Sequence, residues 1–265
     1  MKSGTHADNC ILAAHCRLAG GEKCNAICPS YVAIHGADGL GGRIGAAGVP
    51  AEYRRLTLAN SPAREAQTEA YKTAAAYVET FARQFTGERI KSLYLFSESP
   101  GTGKTTTAAA LLNEWIIRHY IGTIQRNGQP LNLPAYFLDV NAWQTDYNAF
   151  NRPRVPDHIA EPAAARYYSA LTAAQSAPFA VLDDIGVRDA SEAFRADLHA
   201  IINARVTDGL PTVYTSNVPI KSYREDERLI SGLDEIFDAR LADRVRDLCG
   251  VVPFVGGSKR GLRAS

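Results

Sequence analysis

The sequence predicts an α/β protein whose parallel β-sheet is buried on both faces. Short apolar runs at 93–96, 135–140, 179–182, 212–215 and 251–255 alternate with stretches of helical character at 105–120, 160–174, 191–208 and 233–249. Continuous apolar runs separated by helices are the pattern of strands covered on both sides. The first run, Leu93-Tyr94-Leu95-Phe96, also leads straight into a glycine-bearing loop and then a helical stretch. With 265 residues and 46% hydrophobic content, the chain is long enough for one large domain and a small one.

At the N-terminal end, four of the five cysteines, Cys10, Cys16, Cys24 and Cys28, crowd together in a C-x5-C-x7-C-x3-C spacing. In a reducing compartment such a group points to tetrahedral zinc rather than to two disulfides. His15 and His35 are stand-in ligands, although a solvated loop is the plainer reading of each. Residues 36–48 carry six glycines and little that packs, the composition of a flexible joint. Ser61-Pro62 then offers a helix start. Ala63, Ala66, Ala70, Ala74, Val78, Phe81 and Phe85 follow at spacings of three and four, so one amphipathic helix is expected to about residue 84. Cys249 reads as a small apolar residue rather than a reactive thiol.

A net charge of +1 leaves no global basic field, so any nucleic-acid contact must use a local patch. No apolar run approaches the length of a bilayer span, and the polar N-terminus has no signal-peptide core. A cytoplasmic protein without membrane contact is therefore expected.

The loop after the first strand carries the chemistry. In Pro100-Gly101-Thr102-Gly103-Lys104-Thr105-Thr106 the glycines let backbone N–H groups turn toward phosphate oxygens, and the following helix presents its positive end to the same anion. Lys104 is placed to reach the β- and γ-phosphates of ATP, and the Thr105 hydroxyl to ligate Mg2+. Glu98 stands where the G-x-x-x-x-G-K-[ST] pattern has its first glycine, and a carboxylate there would crowd the phosphates.

Behind this loop, the run ending in Asp183-Asp184 supplies an acid for Mg2+, Asp183, and one to polarise water, Asp184; two acids after a strand are also compatible with a simple turn. Asn217, after the run at 212–215, can bond the γ-phosphate or the attacking water, though Ser-Asn before Pro219 is also a common turn. Arg240 and Arg244 lie four apart on one helix face, as surface ion-pairing residues do. From a neighbouring subunit they could also neutralise transition-state charge, and Arg244 is the preferred candidate. The tail from Ala239 is basic.

The segments Ser-Pro-Gly-Thr-Gly-Lys-Thr (99–105), Val-Leu-Asp-Asp-Ile-Gly (181–186), Tyr-Thr-Ser-Asn (214–217), Arg-Leu-Ala-Asp-Arg-Val (240–245) and Gly-Ser-Lys-Arg (257–260) together resemble AAA+ helicase loaders of the DnaC and DnaI type. They are similar also to IstB, the transposition helper. The likeness spans about residues 50–262 and includes Val49-Pro50-Ala51-Glu52-Tyr53-Arg54, similar to a short segment ahead of the motor in these loaders.

The resemblance implies a P-loop AAA+ RecA-like core, with Lys104 and Thr105 as Walker A, Asp183 and Asp184 as Walker B, Asn217 as sensor I, Arg244 as the arginine finger and Arg260 as a sensor II-like residue. It implies a division into a cysteine-rich zinc-binding, helicase-docking head with its linker at 1–48, a linker and amphipathic helix at 49–90, and the ATPase domain at 91–265. The implied partners are a hexameric DnaB-type replicative helicase, single-stranded DNA, and further copies of the chain assembled with ATP. The chain ends soon after Arg260, leaving no room for a C-terminal helical lid, so hydrolysis is expected to be slow and assembly-dependent. Trp143, Tyr147, Phe150, Arg152 and Arg154 form an aromatic and basic mixture suited to a single strand, or, for Trp143, to the core. Two rivals remain: an IstB-like helper acting on double-stranded DNA, and a zinc-bearing DNA-binding adaptor with a decayed nucleotide site.

Overall fold

The computed structural model describes residues 6–25, 27–186, 190–226 and 228–258. Its central sheet is built from β1 (Ser92–Phe96), β2 (Ala135–Asp139), β3 (Phe179–Asp183), β4 (Thr212–Ser216) and β7 (Cys249–Pro253), in the spatial order β2-β3-β4-β1-β7 with every pair parallel. These are the five expected strands, the last beginning and ending two residues earlier than its apolar run. A small antiparallel hairpin, β5 (Tyr223–Glu225) with β6 (Arg228–Ile230), was not expected from the sequence.

Alternate residues of each strand feed different cores, because successive side chains leave a strand on opposite faces. Leu93, Leu95, Phe137, Val181 and Val213 join one hydrophobic cluster, and Tyr94, Leu138, Leu182 and Tyr214 join the other. The first cluster is covered by α3 (Thr68–Glu79) and the long α4 (Lys104–Gln125), and the second by α5 (Val140–Asn151), α6 (Asp157–Ser176), α7 (Glu192–Thr207) and α9 (Ala239–Leu248).

The helix boundaries differ from the sequence expectation for local reasons. Asp139 caps α5 by accepting the N–H groups of Asn141 and Ala142, each at 3.0 Å, so a helix not expected there starts at the end of β2. The helix expected from residue 61 starts at Thr68, because Gln67 is non-helical (φ −127°, ψ 47°), and it tightens into a 3₁₀ segment at Thr80–Phe85. The stretch at 233–249 is split into α8 (Leu233–Ile236) and α9, with Asp238 capping α9 through the N–H of Leu241 at 2.8 Å. Trp143 and Tyr147 face inward. Trp143 is 3% exposed, stacks on Tyr167 and donates its indole N–H to the Tyr167 carbonyl, which takes it away from any nucleic-acid surface.

The N-terminal segment lies against α4 and the central sheet. Two 3₁₀ turns, Ala7–Asn9 and Ala13–His15, precede α1 (Pro29–His35) and α2 (Gly42–Ala46). Ile11, Leu12, Ile34, Ile44, Ala47 and Val49 belong to the same cluster as α4. The glycine-rich stretch is folded: a Cβ on Gly42 (φ +61°) would stand 2.5 Å from the Ile34 carbonyl, so the tight α1-α2 corner needs glycine there. Arg43 then donates to the carbonyls of Ala33, Pro130 and Leu131, and the Ala47 carbonyl accepts the N–H of Phe137 on β2 at 2.7 Å.

Candidate nucleotide site

Above the C-terminal ends of β1, β3 and β4 lies a cleft of about 770 Å3, lined on one side by Pro100–Thr106 and on the other by Asp183, Asp184, Thr215 and Asn217. In open parallel sheets this end is where ligands bind, since loops there can converge without breaking the ladder. Pro50, Tyr53, Pro62 and Ala63 close the far wall. The loop geometry depends on glycine at one point above all: Gly103 sits at φ +100°, and a Cβ there would come within 2.7 Å of the Ala63 methyl.

Lys104, the first residue of α4, is 7% exposed. Its ammonium donates to the carbonyls of Ser97 (3.3 Å) and Ser99 (3.2 Å) and to Asn217 Oδ1 at 2.5 Å. A buried cation held on loop carbonyls inside a strand-loop-helix cradle is a ready partner for phosphate oxygens. Thr102 Oγ1, buried in the same loop, has no hydrogen-bond partner among the described residues. Glu98 is exposed and does not line the cleft; its carboxylate accepts the Tyr223 hydroxyl of the β5-β6 hairpin, so it does not crowd the phosphate side of the loop.

Asp183, 8% exposed, accepts the hydroxyls of Thr215 on Oδ1 at 2.7 Å and of Thr105 on Oδ2 at 3.2 Å. Burial raises its pKa to about 6 against the pull of those two hydroxyls, and the neighbouring Asp139 and Asp184 add to the rise. Clustered carboxylate and hydroxyl oxygens suit a hard divalent cation, and Thr105 with Asp183 would hold Mg2+ here. Asp184 adopts a left-handed backbone, φ +60°, uncommon outside glycine and concentrated at functional sites. It is fixed at two points: its N–H donates to Thr215 Oγ1 at 2.9 Å, and its Oδ2 accepts from Asn141 Nδ2 at 3.0 Å.

Lys104, Thr105, Asp183, Asp184 and Asn217 thus converge as the sequence motifs suggest. Two further residues line the cleft: Thr215, which lies inside the 214–217 segment without a role assigned to it there, and Asn141, which lies outside every motif. They come from β4 and from the start of α5, on either side of β3, and only the strand order makes them neighbours of the acids. The inward spacing of Val140, Trp143 and Tyr147 after the Asp139 cap was the signal for α5 that could have placed Asn141.

Other expected residues lie elsewhere. Arg240 and Arg244 are exposed on α9 and do not line this cleft. Arg244 reaches Asn203 Oδ1 and, at 3.0 Å, Thr207 Oγ1 on α7. Arg260 lies outside the described residues. The cysteines Cys10, Cys16, Cys24 and Cys28 are free thiols bordering one small pocket. Among the described residues, however, no group of three or more His, Cys, Asp or Glu side chains is arranged to hold a metal ion, so this arrangement does not support the zinc expectation. His35 is buried and its Nε2 accepts the Ile11 N–H at 3.2 Å; burial, with Arg55 and His6 nearby, lowers its pKa to about 4, a structural acceptor rather than a ligand. Cys249 packs against the core beside α9, and burial pushes its thiol up to about 12, which keeps it unreactive.

A five-stranded parallel sheet of this order, with a glycine-bearing loop between β1 and α4 facing paired acids across one cleft, matches the fold of an AAA+ RecA-like core. The chain is similar in structure to a candidate primosome component from Streptococcus pyogenes serotype M3, at 23% identity and TM-score 0.50 over 80% of this chain and 92% of that one. It is similar also to DnaI, at 21% identity and TM-score 0.50 over 80% and 94%, and to the DnaC helicase loader, at 19% identity and TM-score 0.50 over 78% and 100%. These likenesses bear out, at the level of the fold, the resemblance to DnaC/DnaI-type loaders. No protein-family model matches the sequence, and no curated protein matches it. Among the described residues, no helix is long and apolar enough to cross a membrane.

Proposed function

We propose that this chain is an ATPase that escorts a hexameric DnaB-type replicative helicase onto single-stranded DNA. The observation that carries the reading is the convergence of Lys104, Thr105, Asp183, Asp184 and Asn217 on one cleft, within a fold shared with the DnaC and DnaI loaders.

In this reading the N–H groups of 101–105 and the Lys104 ammonium bind the triphosphate of ATP. Mg2+, when bound, would neutralise charge on the phosphate oxygens. Thr105 and Asp183 position that ion, Asp184 polarises the attacking water, and Asn217 exchanges its bond to Lys104 for one to the γ-phosphate, reporting whether it is present. Arg244, exposed and absent from its own cleft, serves a neighbouring copy, with Arg240 beside it. Hydrolysis by the isolated chain is then slow, and self-association with ATP accelerates it. The head at 1–48 docks the helicase. Zinc at the four cysteines is the part of this reading that the described residues do not support, and the metal content of the purified protein decides it.

The test is copurification of the chain with a DnaB-type hexamer in ATP and in ADP. The reading expects a nucleotide-dependent complex that Lys104→Ala removes, and association independent of both nucleotide and Lys104 would contradict it.

A further inference from the structure

Gln67 belongs to none of the motifs above, yet it is 3% exposed and every polar atom of its amide group is used. Nε2 donates to the Thr102 carbonyl at 3.1 Å and to the Val255 carbonyl at 2.8 Å, while Oε1 accepts the Val255 N–H at 3.2 Å. One side chain therefore joins the phosphate loop to the backbone that follows β7. A second bond runs the same way: Phe254 donates its N–H to the Phe96 carbonyl, the last residue of β1 before the loop, at 2.7 Å.

We infer that Gln67 is a positioning residue for triphosphate binding, and that through it nucleotide occupancy is coupled to the segment after β7. The first half follows from peptide geometry. C=O and N–H of a trans peptide point in opposite directions. With the Thr102 oxygen held on Gln67 behind the loop, the Gly103 N–H is turned to the other side, the cleft that Gly103 lines. The Gly103 left-handed conformation, which packs tightly against Ala63, is held from the same segment. A backbone donor already aimed at the anion spares the reorientation that binding would otherwise cost.

The second half follows from linkage. A triphosphate that fixes the loop also fixes the Thr102 carbonyl, hence the Gln67 amide, hence both polar groups of Val255. Stabilisation at one end must appear at the other. Val255 itself is an exposed side chain on a firmly bonded backbone, so its amide reports on this bond rather than on core packing. The inference rests on the ATP reading of the cleft.

The experiment compares the full chain with a Gln67→Met variant, of similar side-chain volume but without the amide. ATP affinity is read by fluorescence titration, folding by circular dichroism, and the Val255 amide by hydrogen exchange with and without Mg2+ and ATP. Saturating ATP is expected to slow exchange at Val255 in the wild-type chain. Folded Gln67→Met is expected to bind ATP about tenfold more weakly and to lose the ATP effect at residue 255. Unchanged Val255 exchange on ATP binding by the wild type would overturn the inference, as would wild-type affinity in the folded variant. If the variant does not fold, the wild-type exchange measurement decides alone. A wild-type chain that binds no ATP would instead remove the nucleotide reading, a different and separately visible failure.

Discussion

The nucleotide cleft and the cysteine-rich head differ in how their chemistry is held. In the cleft, each acid is fixed from two sides: Asp183 by Thr105 and Thr215, Asp184 by Thr215 and Asn141, and all of them stand on strand ends or the first turn of a helix. In the head, the cysteines sit on short turns, their thiols free, and only Cys24 is buried. Strand ends in a fixed order preorganise a site with no ligand present, whereas side chains on turns take their final arrangement from what binds them. The cleft should therefore lose function sharply when a single polar group is removed, whereas the exposed cysteine side chain of the head should have little effect on nucleotide binding.

The largest expected effect is at Lys104. Lys104→Ala should lower ATP affinity by about 100-fold or more, by loss of a charge-assisted contact in a buried site, measured by calorimetric titration. Next, Asp184→Asn should cut single-turnover hydrolysis by about 100-fold while leaving ATP affinity near wild type. Asn141→Ala should follow it in kind but less in size, about tenfold in turnover with unchanged affinity, because it frees Asp184 without removing its charge. Equal losses in affinity and turnover would show that Asn141 acts on the fold rather than on Asp184.

The pH dependence is smaller and has a definite sign. Burial raises the Asp183 pKa to about 6, so it is mostly ionised at neutral pH and takes up a proton as pH falls through that value. A protonated carboxyl is a poor Mg2+ ligand, and bound Mg2+ pulls its pKa back down. Mg2+-dependent ATP affinity should thus weaken as pH falls through about 6, and the dependence should vanish in Asp183→Asn. The smallest effect closes the comparison: Cys16→Ser, at the exposed cysteine, should leave ATP affinity within about twofold. A larger change would mean that head and cleft act as one unit.

What the sequence made legible follows the same division. Strands and the phosphate loop were readable because burial on both faces leaves continuous apolar runs, and because Gly103 and Lys104 are required by geometry rather than by context. Thr215, Asn141 and Gln67 were not, since each acts on a residue at least 30 positions away and owes its place to strand order. The hairpin at 223–230 has almost no apolar alternation to announce it. The stretch at 36–48 read as a joint because glycines that permit a tight α1-α2 corner cannot be told, by composition, from glycines that permit motion.

The central claim is that a triphosphate is held between the loop at 101–105 and the acids at 183 and 184. A crystal structure of the chain with Mg2+ and a non-hydrolysable ATP analogue tests it most directly. The expected result places the phosphates against Gly101–Thr105 with the ion on Thr105 and Asp183; an empty cleft beside saturating analogue, or phosphates bound elsewhere, would contradict it.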